Sequence, residues 1–183
     1  ETVFPISLNF SRLDFNIGDF LDQLESIVEQ YHVPKNLLHI EVTESVVMHN
    51  EGYMKYVVKK LHELGYQVWM DDFGSGYSSL NILKDFDFDL MKIDMLLLKD
   101  SSDKSRKIIS SIVDMAKKIG IRTLAEGVET EEQLEFLREI GCEKLQGYYI
   151  GRPGPYRESI AHCKEQGFRF ESPAKRRYND DLG

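Results

Sequence analysis

Soft metal ligands are scarce in this chain of 183 residues. Its two cysteines, Cys142 and Cys163, have no zinc-type spacing, and its five histidines form no H-x-x-x-H pair. This scarcity argues against a zinc site. Two isolated cysteines are typical of reduced thiols. We therefore predict a cytoplasmic domain and leave open whether a longer protein that contains it is anchored to a membrane.

Positive charge and long apolar runs are lacking as well. Lys and Arg number 23 against 31 Asp and Glu, a net charge of −8, which argues against a partner made of duplex nucleic acid. No apolar run approaches the roughly 20 residues of a membrane span, so we predict no membrane contact by this segment. A small anionic substrate stays compatible with the charge if metal ions offset an acidic site.

The chain does contain a regular alternation of short apolar runs and amphipathic stripes. The short runs predict strands at 3–9, 37–42, 67–71, 88–94, 121–126 and 143–147. Helices are predicted between them, with a capping box from Thr130 to Gln133 and a last helix over about 155–166. Glycines follow the helical stripes at Gly65, Gly120, Gly141 and Gly167. Six βα units require a parallel sheet with crossover helices, either open or closed into a barrel.

Each predicted strand ends in polar residues. In chain order these are Asn9, Glu41, Asp71 with Asp72, Lys92 with Asp94, Glu126, and Gln146. A single acid at a strand end is commonly a helix N-cap. Because the carboxyl ends of parallel strands share one edge of the sheet, six polar ends together predict a functional site.

The chemistry of this set indicates a hard metal ion. Carboxylate and amide oxygens without Cys or His suit Mg²⁺ or Mn²⁺, and the cations would offset the repulsion among the acids. Adjacent aspartates such as Asp71 and Asp72 suit two ions, an arrangement that supports displacement at a phosphoester. Lys92 could orient the attacking water or neutralise charge in the transition state. The alternative for Lys92 is a salt bridge to Asp94 or another nearby acid.

Several segments resemble the EAL-domain family, whose members hydrolyse cyclic di-GMP. They are ISLNFSRLDF, IEVTES, DDFGSGYSSL, MKID, LAEGVETEEQ and LQGYYIGRP. The resemblance extends to about residue 168 and implies an α/β fold, a (β/α)₈ TIM-type barrel of which about six βα units are present. We place an EAL-type domain at 1–171, and the polar composition of 172–183 predicts a C-terminal tail. The Glu-Ala-Leu strand of the family is missing from this sequence, which opens near the third strand, so we expect an N-terminally truncated domain with weak or no activity alone.

The resemblance also implies roles for individual residues. The implied metal ligands are Asn9, Glu41, Asp71, Asp72 and Glu126. Lys92 is implied to sit beside the catalytic water and Gln146 to position a metal-bound water, so that the catalytic set is Lys92, Glu126, Asp72 and Gln146. Glu44 matches a glutamate that anchors the glycine-rich loop; its residue type and position alone suggest a helix cap.

The function implied is metal-dependent hydrolysis of cyclic di-GMP to linear pGpG by a two-metal mechanism with Mg²⁺ or Mn²⁺. The alternatives are a non-catalytic cyclic di-GMP-binding or dimerisation module and an unrelated Mg²⁺-dependent barrel enzyme. Besides cyclic di-GMP, the expected partners are a second copy in a homodimer and fused or coupled sensor or GGDEF-type domains.

Overall fold

The computed structural model of the chain describes residues 4–15, 19–74, 79–99 and 102–168. The chain divides into two compact units, with the boundary between Asp89 and Leu90. The predicted tail at 172–183 and residues 75–78 of the glycine-rich loop lie outside the described residues. The predicted extent of the domain, 1–171, stays a prediction.

The first unit is built on three parallel strands. Its elements are β1 (Ile6–Phe10), α1 (Arg12–Phe15), α2 (Phe20–Gln30), a 3₁₀ turn (Lys35–Leu37), β2 (Leu38–Thr43), α3 (Glu44–His49), α4 (Glu51–Leu64), β3 (Gln67–Phe73) and α5 (Ser79–Asp85). β2 pairs with both β1 and β3. The three strands predicted at 3–9, 37–42 and 67–71 are therefore confirmed, with small shifts at their ends.

The core of the first unit lies against β2 and β3. Ile40, Val68 and Met70 are fully buried, as expected for strands covered on both faces. Helix α4 turns a continuous apolar stripe toward them, which includes Val57 and Leu61. Its apolar residues recur every three or four positions, so burying one face leaves its lysines and glutamates in solvent.

The second unit repeats the same plan. Its elements are β4 (Leu90–Ile93), α6 (Met95–Lys99), α7 (Asp103–Lys118), β5 (Arg122–Ala125), α8 (Glu131–Glu139), β6 (Lys144–Leu145) and α9 (Tyr156–Glu165). β5 pairs in parallel with β4 and with β6, which confirms the remaining three predicted strands. Helix α9 confirms the prediction over 155–166. In the described part of the chain, no helix combines the length and apolarity needed to cross a membrane.

The predicted helix boundaries are confirmed in detail. Thr130 accepts a hydrogen bond from the backbone N–H of Gln133, whose side chain accepts one from the N–H of Thr130, so the capping box forms. The four glycines predicted to end helices adopt positive φ, a conformation that costs glycine little.

A half-buried carboxylate links α2 to the segments that precede β2 and β3. Glu25 accepts a hydrogen bond of 2.6 Å from the hydroxyl of Tyr66 and forms an ion pair with Lys35. Burial alone raises the pKa of Glu25, but the hydrogen bonds from Lys35 and Tyr66 and the charge of Lys35 outweigh it and hold this pKa below its usual value. The ionised form of Glu25 therefore stabilises the folded state.

Glu25→Gln is expected to lower the free energy of unfolding of the first unit by about 1 kcal/mol at pH 7. Because the folded-state pKa is depressed, the difference from wild type is complete above the unfolded pKa of about 4.3 and shrinks as pH falls through the folded value. Urea unfolding followed by the fluorescence of Trp69, the single tryptophan, which is buried in the same unit, measures it. Glu29→Gln, an exposed change on the same helix, is the control. An equal difference at pH 7 and at pH 3 would contradict the assignment.

Candidate active site

Three predicted metal ligands lie on one face of the first unit's sheet. Asn9 on β1 is the register partner of Glu41 on β2, so their side chains share a face. Asp71 on β3 pairs with Thr43, two residues beyond Glu41, and alternation returns it to the same face. Glu41 is 3% exposed. A carboxylate this deeply buried is unfavourable unless a hydrogen-bond donor or a cation compensates its charge.

The oxygens of this face converge closely. The terminal amide atom of Asn9 that faces the acids lies 3.2 Å from Oδ2 of Asp71 and 3.2 Å from Oε2 of Glu41. Assigned as nitrogen, that atom donates a hydrogen bond to each carboxylate; assigned as oxygen, it adds a third acceptor that a cation would stabilise. Mg²⁺ binds oxygens at about 2.1 Å with octahedral angles, which sets neighbouring ligands about 3.0 Å apart. The spacing and donor chemistry of Asn9, Glu41 and Asp71 fit such an ion.

Asp72, one residue before the end of β3, has an unusual backbone conformation. Its φ is 57°, a left-handed value that few non-glycine residues adopt, although aspartate tolerates it better than most. Its N–H donates a 3.0 Å hydrogen bond to Oδ1 of Asp71, which stabilises this backbone conformation. Carboxylate oxygens of the two aspartates lie within 4.8 Å of one another. Strained backbone of this kind persists where the surroundings impose it, commonly at functional sites.

Glu44 is the first residue of α3 and is 6% exposed. The N-cap position belongs to Thr43, so the helix-cap interpretation of Glu44 is wrong by one residue; its carboxylate lies in the first turn, where the helix dipole stabilises it. Residues 75–78 of the glycine-rich loop that Glu44 is predicted to anchor lie outside the described residues. Its role as an anchor stays a prediction.

The second unit joins two further predicted residues. Lys92 on β4 is 7% exposed, and its Nζ lies 2.9 Å from Oε1 of Glu126. Glu126 follows β5 directly and its N–H donates to the carbonyl of Ile93, so it continues the β4–β5 ladder by one residue. Leu124 is the register partner of Lys92, and alternation places Glu126, two residues on, on the same face. An ammonium and a carboxylate are thus paired at the carboxyl end of two strands.

Gln146 follows β6 and is held by its backbone. Its N–H donates to the carbonyl of Ala125, and its carbonyl accepts from the N–H of Val128. Gly147 makes this possible, because a Cβ there would lie 2.2 Å from backbone atoms of Val128. Only glycine lets the segment after β5 pass so close to the end of β6.

The predicted site residues fall into two groups, each within one unit. Asn9, Glu41, Asp71 and Asp72 form the first group, and Lys92, Glu126 and Gln146 form the second. Asp94, one of the acids considered as a partner for Lys92, accepts from the N–H of Leu96 at 2.7 Å and caps α6. Lys92 forms an ion pair with Glu126, another nearby acid, so this ion pair and the predicted catalytic role of Lys92 involve the same acid.

The positive φ of Asp72 and the requirement for Gly147 were not predicted. The dipeptide Asp-Asp before Phe-Gly does not specify a left-handed residue, because aspartate tolerates that conformation without requiring it. Gly147 could have been anticipated as a position of close backbone approach, since an isolated glycine after a strand often marks one.

Comparison with known proteins places these observations in a family context. A family model described as "EAL domain" matches residues 1–153. The chain is 36% identical over 171 residues to the cyclic di-GMP phosphodiesterase NbdA of Pseudomonas aeruginosa, covering 91% of the chain and 21% of NbdA. It is 36% identical over 160 residues to the bifunctional diguanylate cyclase/cyclic di-GMP phosphodiesterase MucR of the same organism, covering 85% of the chain and 23% of MucR.

A solved structure supports the same grouping. The PaMucR phosphodiesterase in complex with c-di-GMP superposes with a TM-score of 0.78 at 34% identity, over 84% of this chain and 63% of that one. The predicted fold class, α/β with about six βα units of a (β/α)₈ barrel, is confirmed by this likeness. The chain spans only about a fifth of the length of the two curated relatives.

Proposed function

The chain belongs to the EAL domain family, and from this membership we propose that it hydrolyses cyclic di-GMP to linear pGpG with divalent metal ions, Mg²⁺ or Mn²⁺. The observation that carries the proposal is the oxygen-only set of Asn9, Glu41 and Asp71, with contacts of 3.2 Å on one sheet face. A pure binding module would need no such costly convergence of acids. The names of NbdA and of the PaMucR complex supply the substrate.

We assign the metal ligands as Asn9, Glu41, Asp71, Asp72 and Glu126. Two ions held by these oxygens would offset phosphate charge and make water a stronger nucleophile near neutral pH. Asp71 and Asp72 bind at different places in the metal site. The left-handed φ of Asp72 points its carboxylate in a direction that strand alternation alone would not give.

The other residues act on the water and the phosphate. The ammonium of Lys92 orients the attacking water and offsets the negative charge that develops on the phosphoryl oxygens. Its ion pair with Glu126 fixes the positions of both side chains, so little reorganisation is needed during the reaction. Gln146 positions the water through its amide, and Glu44 anchors the glycine-rich loop.

The wider context is proposed by analogy. The bifunctional description of MucR supports coupling of this domain to a GGDEF-type or sensor domain in the longer protein. A homodimer with a second copy of the chain is part of the same proposal. The cytoplasm is the location proposed from composition.

The purified full-length protein is expected to convert cyclic di-GMP to the linear dinucleotide when Mg²⁺ or Mn²⁺ is present. Ca²⁺ should inhibit, because its looser coordination does not hold ligands in tight octahedral geometry. Separation of substrate and product by liquid chromatography, with EDTA as the metal-free control, measures both effects. Tight binding without linear product under all metal conditions would contradict hydrolysis and favour the non-catalytic binding module.

A further inference from the structure

Two basic side chains meet at the carboxyl end of the first unit's strands. Arg12 opens α1, directly after β1, and His49 closes α3, directly after β2. Both are exposed, and Nη1 of Arg12 lies 3.4 Å from Nδ1 of His49. These two segments follow the strands that carry Asn9 and Glu41, so the pair lies on the same side of the sheet as the acidic set.

The contact between Arg12 and His49 joins one basic residue from each of two segments that are otherwise poor in basic residues. Residues 11–19 contain one cationic residue, Arg12, and residues 44–50 contain one histidine, His49, with no Lys or Arg. The single cationic residue of one segment therefore contacts the single basic residue of the other. The contact itself is weak, since 3.4 Å is beyond the usual hydrogen-bond distance and a protonated imidazole would repel the guanidinium. An anion placed against both groups would gain charge-assisted hydrogen bonds that neither gains from the other.

Local contacts keep Arg12 available for such an anion. The nearest acid in sequence, Asp14, accepts hydrogen bonds from the N–H and the hydroxyl of Ser11, each 2.7 Å long. The hydroxyl of Ser11 and then its N–H hold the pKa of Asp14 below its usual value, so this carboxylate stays ionised while turned toward Ser11. The first turn of α1 is thereby fixed, with Arg12 projecting from it.

The position of Arg12 and His49 suits the phosphodiester of the substrate that is not cleaved. A cyclic dinucleotide carries two phosphodiesters, and the acids that would hold metal ions for one of them repel the other. The Cα of Arg12 is at most about 10 Å from that of Asn9, three residues earlier, and its side chain extends the reach. We propose that Arg12, assisted by His49, binds the second phosphodiester of cyclic di-GMP through its guanidinium fork. This inference rests on the proposed function.

Arg12→Ala is expected to raise the Kd of the full-length protein for cyclic di-GMP about tenfold, the usual effect of removing one charge-assisted contact. Calorimetry with Ca²⁺, which blocks turnover, measures Kd. With Mg²⁺, KM should rise by a similar factor while kcat stays within about twofold. Hydrolysis of bis(p-nitrophenyl) phosphate, which has a single phosphodiester, should not change. His49→Ala should weaken binding less, and Arg12→Lys should retain part of it.

The matched control is Lys59→Ala, which removes one positive charge from the exposed face of α4. Unchanged Kd for Arg12→Ala, an equal loss for Lys59→Ala, or an equal loss on bis(p-nitrophenyl) phosphate would each overturn the proposal. Failure of the proposed function is a separate result, because it is read from the wild-type protein as an absence of linear product. Calorimetry with Ca²⁺ then still tests Arg12 on its own.

Discussion

Asp71→Asn is expected to lower the turnover of cyclic di-GMP by about 10³-fold or more, because loss of a direct ligand should exceed the 10- to 100-fold cost of losing an outer-shell partner. The substitution keeps the size of the side chain but removes the negative charge. It leaves Glu41 facing Asn9 with one carboxylate fewer in a set whose contacts measure 3.2 Å. Mn²⁺ binding, followed by calorimetry, should weaken in parallel with the rate.

The control for this variant is Asp22→Asn, the same chemical change on the exposed face of α2. Both variants should unfold at urea concentrations close to that of wild type, since neither removes apolar packing. Trp69, two residues before Asp71 and buried, reports on the fold of this strand by fluorescence. Turnover by Asp71→Asn at a rate near that of wild type would refute the assignment of Asp71 as a metal ligand.

The fold was predictable because its signals are local and repeated. Strands β2, β3 and β4 are short apolar runs, and their burial on both faces gives the same pattern wherever a crossover helix covers a parallel sheet. The capping box of α8 and Gly65 after α4 are read directly from residue type. Asn9 and Glu41 are then assigned to a common edge of the sheet, because each lies at the carboxyl end of a parallel strand, and no distance is needed for this assignment.

Features that depend on conformation or on distant contacts were not predictable in this way. Residue type does not specify the left-handed φ of Asp72, and the ion pair of Lys92 with one particular nearby acid, Glu126, depends on strand register. Asp94 lies only two residues from Lys92 in sequence, but its carboxylate caps α6. The contact between Arg12 and His49 joins two helices, α1 and α3, through residues 37 positions apart in the chain.

Lys92→Met is expected to lower kcat about 10²- to 10³-fold, the usual cost of removing one donor that stabilises charge in a transition state. Methionine fills a similar volume, and the site is 7% exposed, so packing is largely preserved. Mn²⁺ affinity should not fall, because the variant removes a positive charge from beside the ligand Glu126 and leaves every assigned metal ligand in place. Stopped assays at saturating cyclic di-GMP give kcat, and calorimetry gives the affinity.

A purely structural role for Lys92 predicts a different pattern. If its function is only to pair with Glu126, then Lys92→Met should lower stability, and the double variant with Glu126→Gln should recover it. A catalytic role predicts that kcat of Lys92→Met falls whether or not its stability changes, and that Lys92→Arg, which keeps the charge, retains more activity than methionine. Lys59→Met, a surface change of the same kind, should alter neither quantity. A kcat for Lys92→Met within about threefold of wild type would limit Lys92 to its ion pair, because a donor to the transition state cannot be lost at so small a cost.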